Sequence, residues 1–321
     1  MKIERHWPKS SGWVLDVRRY CAEGGPARGR RPVLLVPGYC MNTTPLGFHP
    51  NGPSLIEFLV QRGFEVWTSN LRGQGESRSE GGPRDVGFRV LALEDLATAI
   101  AHVRSHTETR AERVDVVGCS LGGTYVFAYL AHHPETHGIG SVVGIGAPLR
   151  WRDAHPLLRL AFSSPAVVRR LRVSGTRSVV GLVLPLVAAR APGLLSIYMN
   201  TSIVDLSRAD ELVKTVEDPI PKLNAEISRW FKSGDLMVDG VNVTEALRGI
   251  DRPLLCVVAN RDGIVPPAAA RSALEVIGSE HKTELGVGDD ETWFAHADLF
   301  ISRLAQERVF APLSDWLLAR A

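Results

Sequence analysis

Val114-Asp115-Val116-Val117-Gly118-Cys119-Ser120-Leu121-Gly122-Gly123 decides how the rest of the chain is read. The β-branched run at its start predicts a buried strand. The apolar stretch Leu121 to His133, stopped by Pro134, predicts a helix. Between the two, Gly118-x-Ser120-x-Gly122 stands at a strand-to-helix junction. A residue at so sharp a turn takes a strained backbone, and side chains two positions away on either side would strike the opposing arm. Glycine at both places lets the serine hydroxyl stand above the sheet edge. The start of the helix also points unpaired N–H groups towards that hydroxyl, which suits a developing oxyanion. A glycine-rich turn carrying a solvated serine is the bland alternative, and the flanking sequence has to separate the two.

On the N-terminal side, Trp13 to Tyr20 alternates apolar and polar residues, the pattern of an edge strand with one wet face. Val33-Leu34-Leu35-Val36 is apolar throughout, as in a strand covered on both faces, and ends in the turn Pro37-Gly38-Tyr39-Cys40-Met41-Asn42. A helix from Ser54 to Arg62 closes at Gly63, a strand covers Phe64 to Thr68, and helical spacing runs from Leu91 to His106. On the C-terminal side a buried strand covers Ser141 to Gly146, and another begins at Pro253 and leads to Asp262. A helix from Pro267 to Ile277, a strand from Lys282 to Val287 and a last helix from about Asp298 to Ala319 complete the series. Strand and helix in alternation predict an α/β fold, a parallel sheet with helices on both faces.

The rhythm breaks between Leu149 and Arg248, where segments are helix-like and no buried strand is evident. Expected boundaries are therefore a core in two parts, 1–148 and 249–321, around a helical cap, 149–248. Within the cap, Val179 to Ala189 is unusually apolar. That run is shorter than the roughly 20 residues that span a bilayer, and Pro185 interrupts it. It reads either as a buried helix pair or as a lid whose apolar underside lines a pocket for a greasy substrate. A long insertion between core strands usually has a function, which favours the lid.

The 321 residues can bury one large core, and 37 basic against 35 acidic residues give a net +2, too even to point to nucleic acid. Cys21, Cys40, Cys119 and Cys256 show no metal-ligand spacing, and the N-terminal residues contain no apolar leader, so a cytoplasmic setting is the default, although the composition equally fits a mature exported form whose leader lies outside the numbering.

A serine nucleophile needs a base within reach and an acid to orient that base. In a parallel sheet these groups belong on loops at the C-terminal ends of the strands. Asp262 stands after one such strand, and His296 in the loop after the last; Asp153, His155 and His281 are less well placed rivals. Gly118-Cys119-Ser120-Leu121-Gly122-Gly123, Arg261-Asp262-Gly263-Ile264-Val265-Pro266 and Ala295-His296-Ala297-Asp298, in that order, resemble the α/β-hydrolase superfamily. The resemblance covers about residues 10–148 and 250–321. It implies an α/β-hydrolase fold with a mostly parallel central sheet, and a triad of Ser120, His296 and Asp262. It further implies an oxyanion hole made by the backbone N–H groups of Leu121 and Tyr39. Two departures stand out: Pro37-Gly38 replaces a common His-Gly, and Asn70 replaces a common Asp, at a position that is structural in most members. The turn Pro37-Gly38-Tyr39 and the segment Trp230 to Asp235 also look somewhat like polyhydroxyalkanoate synthases, which carry cysteine at the nucleophile position.

The expected function is a serine esterase, lipase-like, acting on a small-molecule ester with an apolar acyl chain, with no metal or organic cofactor. Acyl transfer, or cleavage of thioesters or amides, is open to the same triad, and a ligand-binding homologue without turnover is the reading from another class.

Overall fold

A computed structural model describes residues 1–170 and 172–320. Its centre is a sheet of eight strands: β1 (Lys2–His6), β2 (Asp16–Cys21), β3 (Val33–Val36), β4 (Val66–Asn70), β5 (Val114–Cys119), β6 (Ile139–Ile145), β7 (Leu254–Ala259) and β8 (Lys282–Val287). Their spatial order is β1-β2-β4-β3-β5-β6-β7-β8. The first two strands pair antiparallel to their neighbours, and the other six run parallel. Residues alternate between the two faces, as the pleat requires. Leu34 and Val36 pack in one core layer with Trp67, Tyr125 and Phe127. Val33 and Leu35 pack in the other with Phe64, Phe294 and Phe310. Both faces are covered, so the strands read as continuous apolar runs.

The helices include α1 (Leu55–Gln61), α2 (Leu96–His106), α3 (Leu121–His132), α4 (Thr176–Arg190), α5 (Pro221–Ser233) and α6 (Ala311–Leu318). Ser54 starts α1 with a capping box: its hydroxyl accepts from the Glu57 amide while the Glu57 carboxylate takes the Ser54 amide. Within the sheet, β3 is flanked by β4 on one side and β5 on the other. The connection therefore reverses direction at β3, and its carboxyl end shares a crevice with that of β5, since Val36 pairs with Gly118.

Three sequence expectations need correction. The stretch Trp13 to Tyr20 is not an edge strand; β2 lies inside the sheet, and β1 forms the edge. Its charged residues are tolerated there because they are paired. Buried Arg19 meets Glu4, Glu65 and Glu108 at 2.9, 3.3 and 2.7 Å, and buried Asp16 accepts from Arg18 and from Asn70. The helix expected over Pro267 to Ile277 is only Pro267–Ala270, followed by turns; the Ser272 hydroxyl instead serves the amides of Leu149 and Arg150. The last helix is broken as well. After Asp298–Ile301 the chain turns extended at Ser302, which bridges to Val204, before a wide turn at Gln306–Phe310 enters α6.

Among the described residues between β6 and β7, no strand joins the central sheet. The apolar run of this segment is not a buried helix pair. It forms the single helix α4, which continues through Pro185 and contains no buried residue. By contrast, α5 sends Leu223, Ile227 and Trp230 into the core layer of Phe88 and Tyr125.

Candidate active site

Ser120 occupies the junction between β5 and α3 with φ 52° and ψ −127°, a left-handed conformation that costs a non-glycine residue about 1–3 kcal/mol. The flanking glycines make it attainable. A Cβ on Gly118 would collide with the backbone of Gly122 and Gly123, and one on Gly122 with the carbonyl of Val36. The Ser120 amide donates to the Ile145 carbonyl at 2.8 Å, which ties the turn to β6. Cys119, directly beneath, is wholly buried, and burial pushes its thiol well up, away from the reactive thiolate.

The turn after β3 lies against this junction. A Cβ on Gly38 would stand 2.6 Å from the Cys119 carbonyl oxygen, 2.8 Å from Ser120 Cβ and 3.0 Å from the Leu121 nitrogen. Among the described residues, no protein acceptor takes the backbone amide of Tyr39 or of Leu121. The turn is held from three sides. Gln74 Nε2 donates to the Gly38 carbonyl at 2.9 Å, the Tyr39 hydroxyl meets Asn224, and the Thr43 amide donates to Asn70 Oδ1 at 3.0 Å. Asn70 also donates to Asp16, so it clasps the turn to the sheet. Cys40 carries a positive φ of 50°, and burial pushes its thiol up to about 12.

Asp262 and His296 meet across the carboxyl ends of β7 and β8. His296 Nδ1 donates to Asp262 Oδ2 at 2.6 Å, which leaves Nε2 as the acceptor nitrogen. The other carboxylate oxygen accepts from the amides of Ile264 and Val265, both at 2.8 Å, so the acid is fixed from both sides. The imidazole lies on Gly146, where a Cβ would approach Cε1 to 3.1 Å. Gly146 follows Ile145, whose carbonyl receives the Ser120 amide, and this brings base and serine to the same corner. Ser120 and His296 share no hydrogen bond in this structure. Asp153 is exposed, and the hydrogen bond and ion pair of the imidazole go to Asp262 instead.

Asp298 was quoted in the histidine motif without a role, and sequence reasoning missed what it does. Its buried carboxylate accepts from the Ala295 amide at 2.6 Å and from the Asn200 amide at 3.0 Å. It thereby joins the histidine loop to the segment between β6 and β7. Burial raises this carboxyl to about 6, against the pull of those two amides. Gln74 was missed too. Neither carries a signal in the sequence, since each acts through a backbone group far along the chain.

Beside His296 opens a cavity of about 320 Å³ lined by Met41, Leu184, Leu212, Phe300 and Ile301 among others, almost entirely apolar. Val180 and Leu184, on one side of α4, form part of its wall.

The family described as serine aminopeptidase, S33, matches residues 33–285. The chain belongs to this family. Its eight-stranded sheet is that of the α/β-hydrolase superfamily, and solved members superpose over almost the whole chain. A thermophilic esterase from Thermogutta terrifontis is 18% identical, with a TM-score of 0.63, over 98% of each chain. A soluble variant of monoglyceride lipase from Saccharomyces cerevisiae is 15% identical, with a TM-score of 0.66, over 100% of this chain and 96% of the lipase. Among curated proteins, pyrrolizixenacetamide deacetylase from Xenorhabdus hominickii is 26% identical over 225 residues, 69% of this chain and 73% of its own. Pimeloyl-[acyl-carrier protein] methyl ester esterase from Stenotrophomonas maltophilia is 21% identical over 244 residues, 75% of this chain and 82% of its own. Membership of the S33 family makes hydrolysis the coarse activity of this chain. Among the described residues, no helix is long and apolar enough to cross a membrane.

Proposed function

We propose that the protein is a serine hydrolase cleaving carboxylic esters that bear an apolar acyl chain. The observation that carries this reading is the apolar cavity against His296, whose imidazole is already held by Asp262. In the proposed cycle His296 Nε2 takes the proton of Ser120 Oγ as the oxygen attacks the ester carbonyl. The negative charge that develops on the carbonyl oxygen is met by the amides of Leu121 and Tyr39. His296 then protonates the departing alcohol, and water, deprotonated by the same imidazole, releases the acyl group from Ser120. The serine–histidine hydrogen bond forms as substrate enters, as catalytic contacts often tighten only in the complex.

Residues 149–248 serve in this reading as the cap, with α4 as the wall of the acyl pocket, and 1–148 with 249–321 as the catalytic core. A reducing, cytoplasmic compartment fits the four unpaired cysteines. Amide cleavage is the second reading, favoured by the relative named as a deacetylase.

The test is turnover of a p-nitrophenyl ester series from acetate to palmitate, beside a matching anilide, by the native protein and by Ser120→Ala. Ester turnover that falls by roughly 10⁴-fold or more in the variant supports the triad. An optimum at acetate removes the apolar acyl chain, turnover of the anilide alone favours the amide reading, and no turnover at all rejects the hydrolase assignment.

A further inference from the structure

Residues 154–204 hold six arginines and no lysine, aspartate or glutamate. The rest of the chain is left with 31 basic against 35 acidic residues, so a net positive protein owes its sign to this one segment. The same segment contributes ten of the fourteen large apolar side chains exposed among the described residues. On α4 they form a stripe. Val179, Leu182, Val183 and Leu186, at i, i+3, i+4 and i+7, are 60, 79, 44 and 51% exposed, and Leu194 just beyond is 72% exposed. The opposite side of α4, with Val180 and Leu184, lines the cavity beside His296. A surface helix ordinarily keeps one apolar face; this one has two.

Most arginines of the segment are free of carboxylate partners. Arg177 pairs with Glu217 at 3.0 Å and Arg169 lies 3.9 Å from Asp85. Among the described residues, Arg159, Arg170, Arg172 and Arg190 have no carboxylate partner, and all four are exposed. An exposed apolar stripe on a segment whose charges are all arginine suits one kind of surface, where acyl chains lie beneath negative charge. A second copy is a poor match, because a two-fold interface would set these like charges against one another.

We propose that the outer face of α4 and its flanking arginines dock the protein on a bilayer carrying anionic phospholipids. The leucine and valine side chains enter the acyl region while the arginine stems lie flat and their heads reach the phosphates. Each cation held near such a surface strengthens binding by roughly fivefold. Docking would present the cavity beside His296 to apolar esters dissolved in the membrane. The docking itself does not depend on the hydrolase reading.

Sedimentation with sucrose-loaded vesicles tests it, using phosphatidylcholine alone and phosphatidylcholine in which about a quarter of the lipid is phosphatidylglycerol. The full chain is expected to pellet several-fold more strongly with the anionic vesicles, and less as salt is raised. Leu182→Ser combined with Leu186→Ser should weaken binding by roughly tenfold or more. Arg170→Gln, Arg172→Gln and Arg190→Gln together should erase the preference for anionic lipid. All these side chains are exposed, so both variants should melt like the native protein. Ser120→Ala should pellet unchanged. Absence of pelleting, or equal pelleting on both vesicles, overturns the proposal. So does a dimer in light scattering that Leu182→Ser dissolves without any vesicle binding. Vesicle binding by a protein that turns over neither the esters nor the anilide would reject the hydrolase reading and leave this one standing.

Discussion

At the scale of single residues, the site rests on close approaches that only small groups permit. Gly38 is the clearest, because its Cα packs against the turn that carries Ser120 and against the Leu121 nitrogen. Gly38→Ala would place a methyl 2.6 Å from the backbone oxygen of Cys119, which has no flexible side chain to yield. The turn would have to lift, carrying the Tyr39 amide away from the position proposed for the oxyanion. Steady-state kinetics on a short ester should then show kcat lowered by roughly 10²–10³-fold, the usual cost of one such donor, and the melting temperature should fall as the turn strains its ties to Gln74 and Asn224. An unchanged kcat would take Tyr39 out of the oxyanion hole. The Pro37-Gly38 that replaces His-Gly thus keeps the glycine, the residue on which the close approach depends.

At the scale of elements, α4 couples the pocket to the outside. Leu184 projects into the cavity near His296 from a helix whose residues are all at least partly exposed, so a larger side chain can be accommodated without disturbing the sheet. Leu184→Trp should shorten the preferred acyl chain. Long-chain esters should lose roughly 10–200-fold in kcat/KM for the first methylenes displaced, while acetate is turned over as before. A chain-length profile identical to that of the native protein would move the acyl site out of this cavity. Asp298 fixes the same region from below, since its two amide partners belong to the histidine loop and to the segment that follows α4.

At the scale of the whole molecule, acid should loosen the fold from the sheet edge. His102 is stacked on His106 with ring centroids 3.9 Å apart and lies 5.0 Å from His6, which closes β1 onto Trp67. Burial first, and then the neighbouring imidazoles His106 and His6, lower the His102 value to about 4; burial also lowers that of His6, against the pull of Glu4. The unfolded chain, with ordinary histidines near 6.5, therefore binds more protons between these values. The stability held by the neutral cluster is fully present above pH 6.5 and is lost as pH falls towards 4. Asp298 works in the opposite direction in part of this window, because its raised carboxyl keeps a proton in the folded state. Urea midpoints measured across this range should fall with acid in the native protein and fall less in His102→Gln. Parallel curves for the two proteins would remove the cluster as a source of acid sensitivity.

The sequence by itself determined the alternation of strand and helix, the turn at Ser120, and the loops that carry Asp262 and His296. These are local matters of apolar period, glycine at a strained turn, and short connections at one sheet edge. It misjudged β2, because a run of alternating charges looks solvated until Glu4, Glu65 and Glu108 are known to surround Arg19. It also ran the last helix through Ser302, where a bridge to Val204 breaks it. Only the tertiary structure decided that α4 is a lone helix, apolar on both its inner and its outer side. Helical spacing reports which residues share a face, and says nothing of whether that face meets a core, a cavity or open solvent. The same holds for Gln74 and Asp298. Their partners are backbone amides and carbonyls, which every residue has, and chain folding alone selects which of them come within reach.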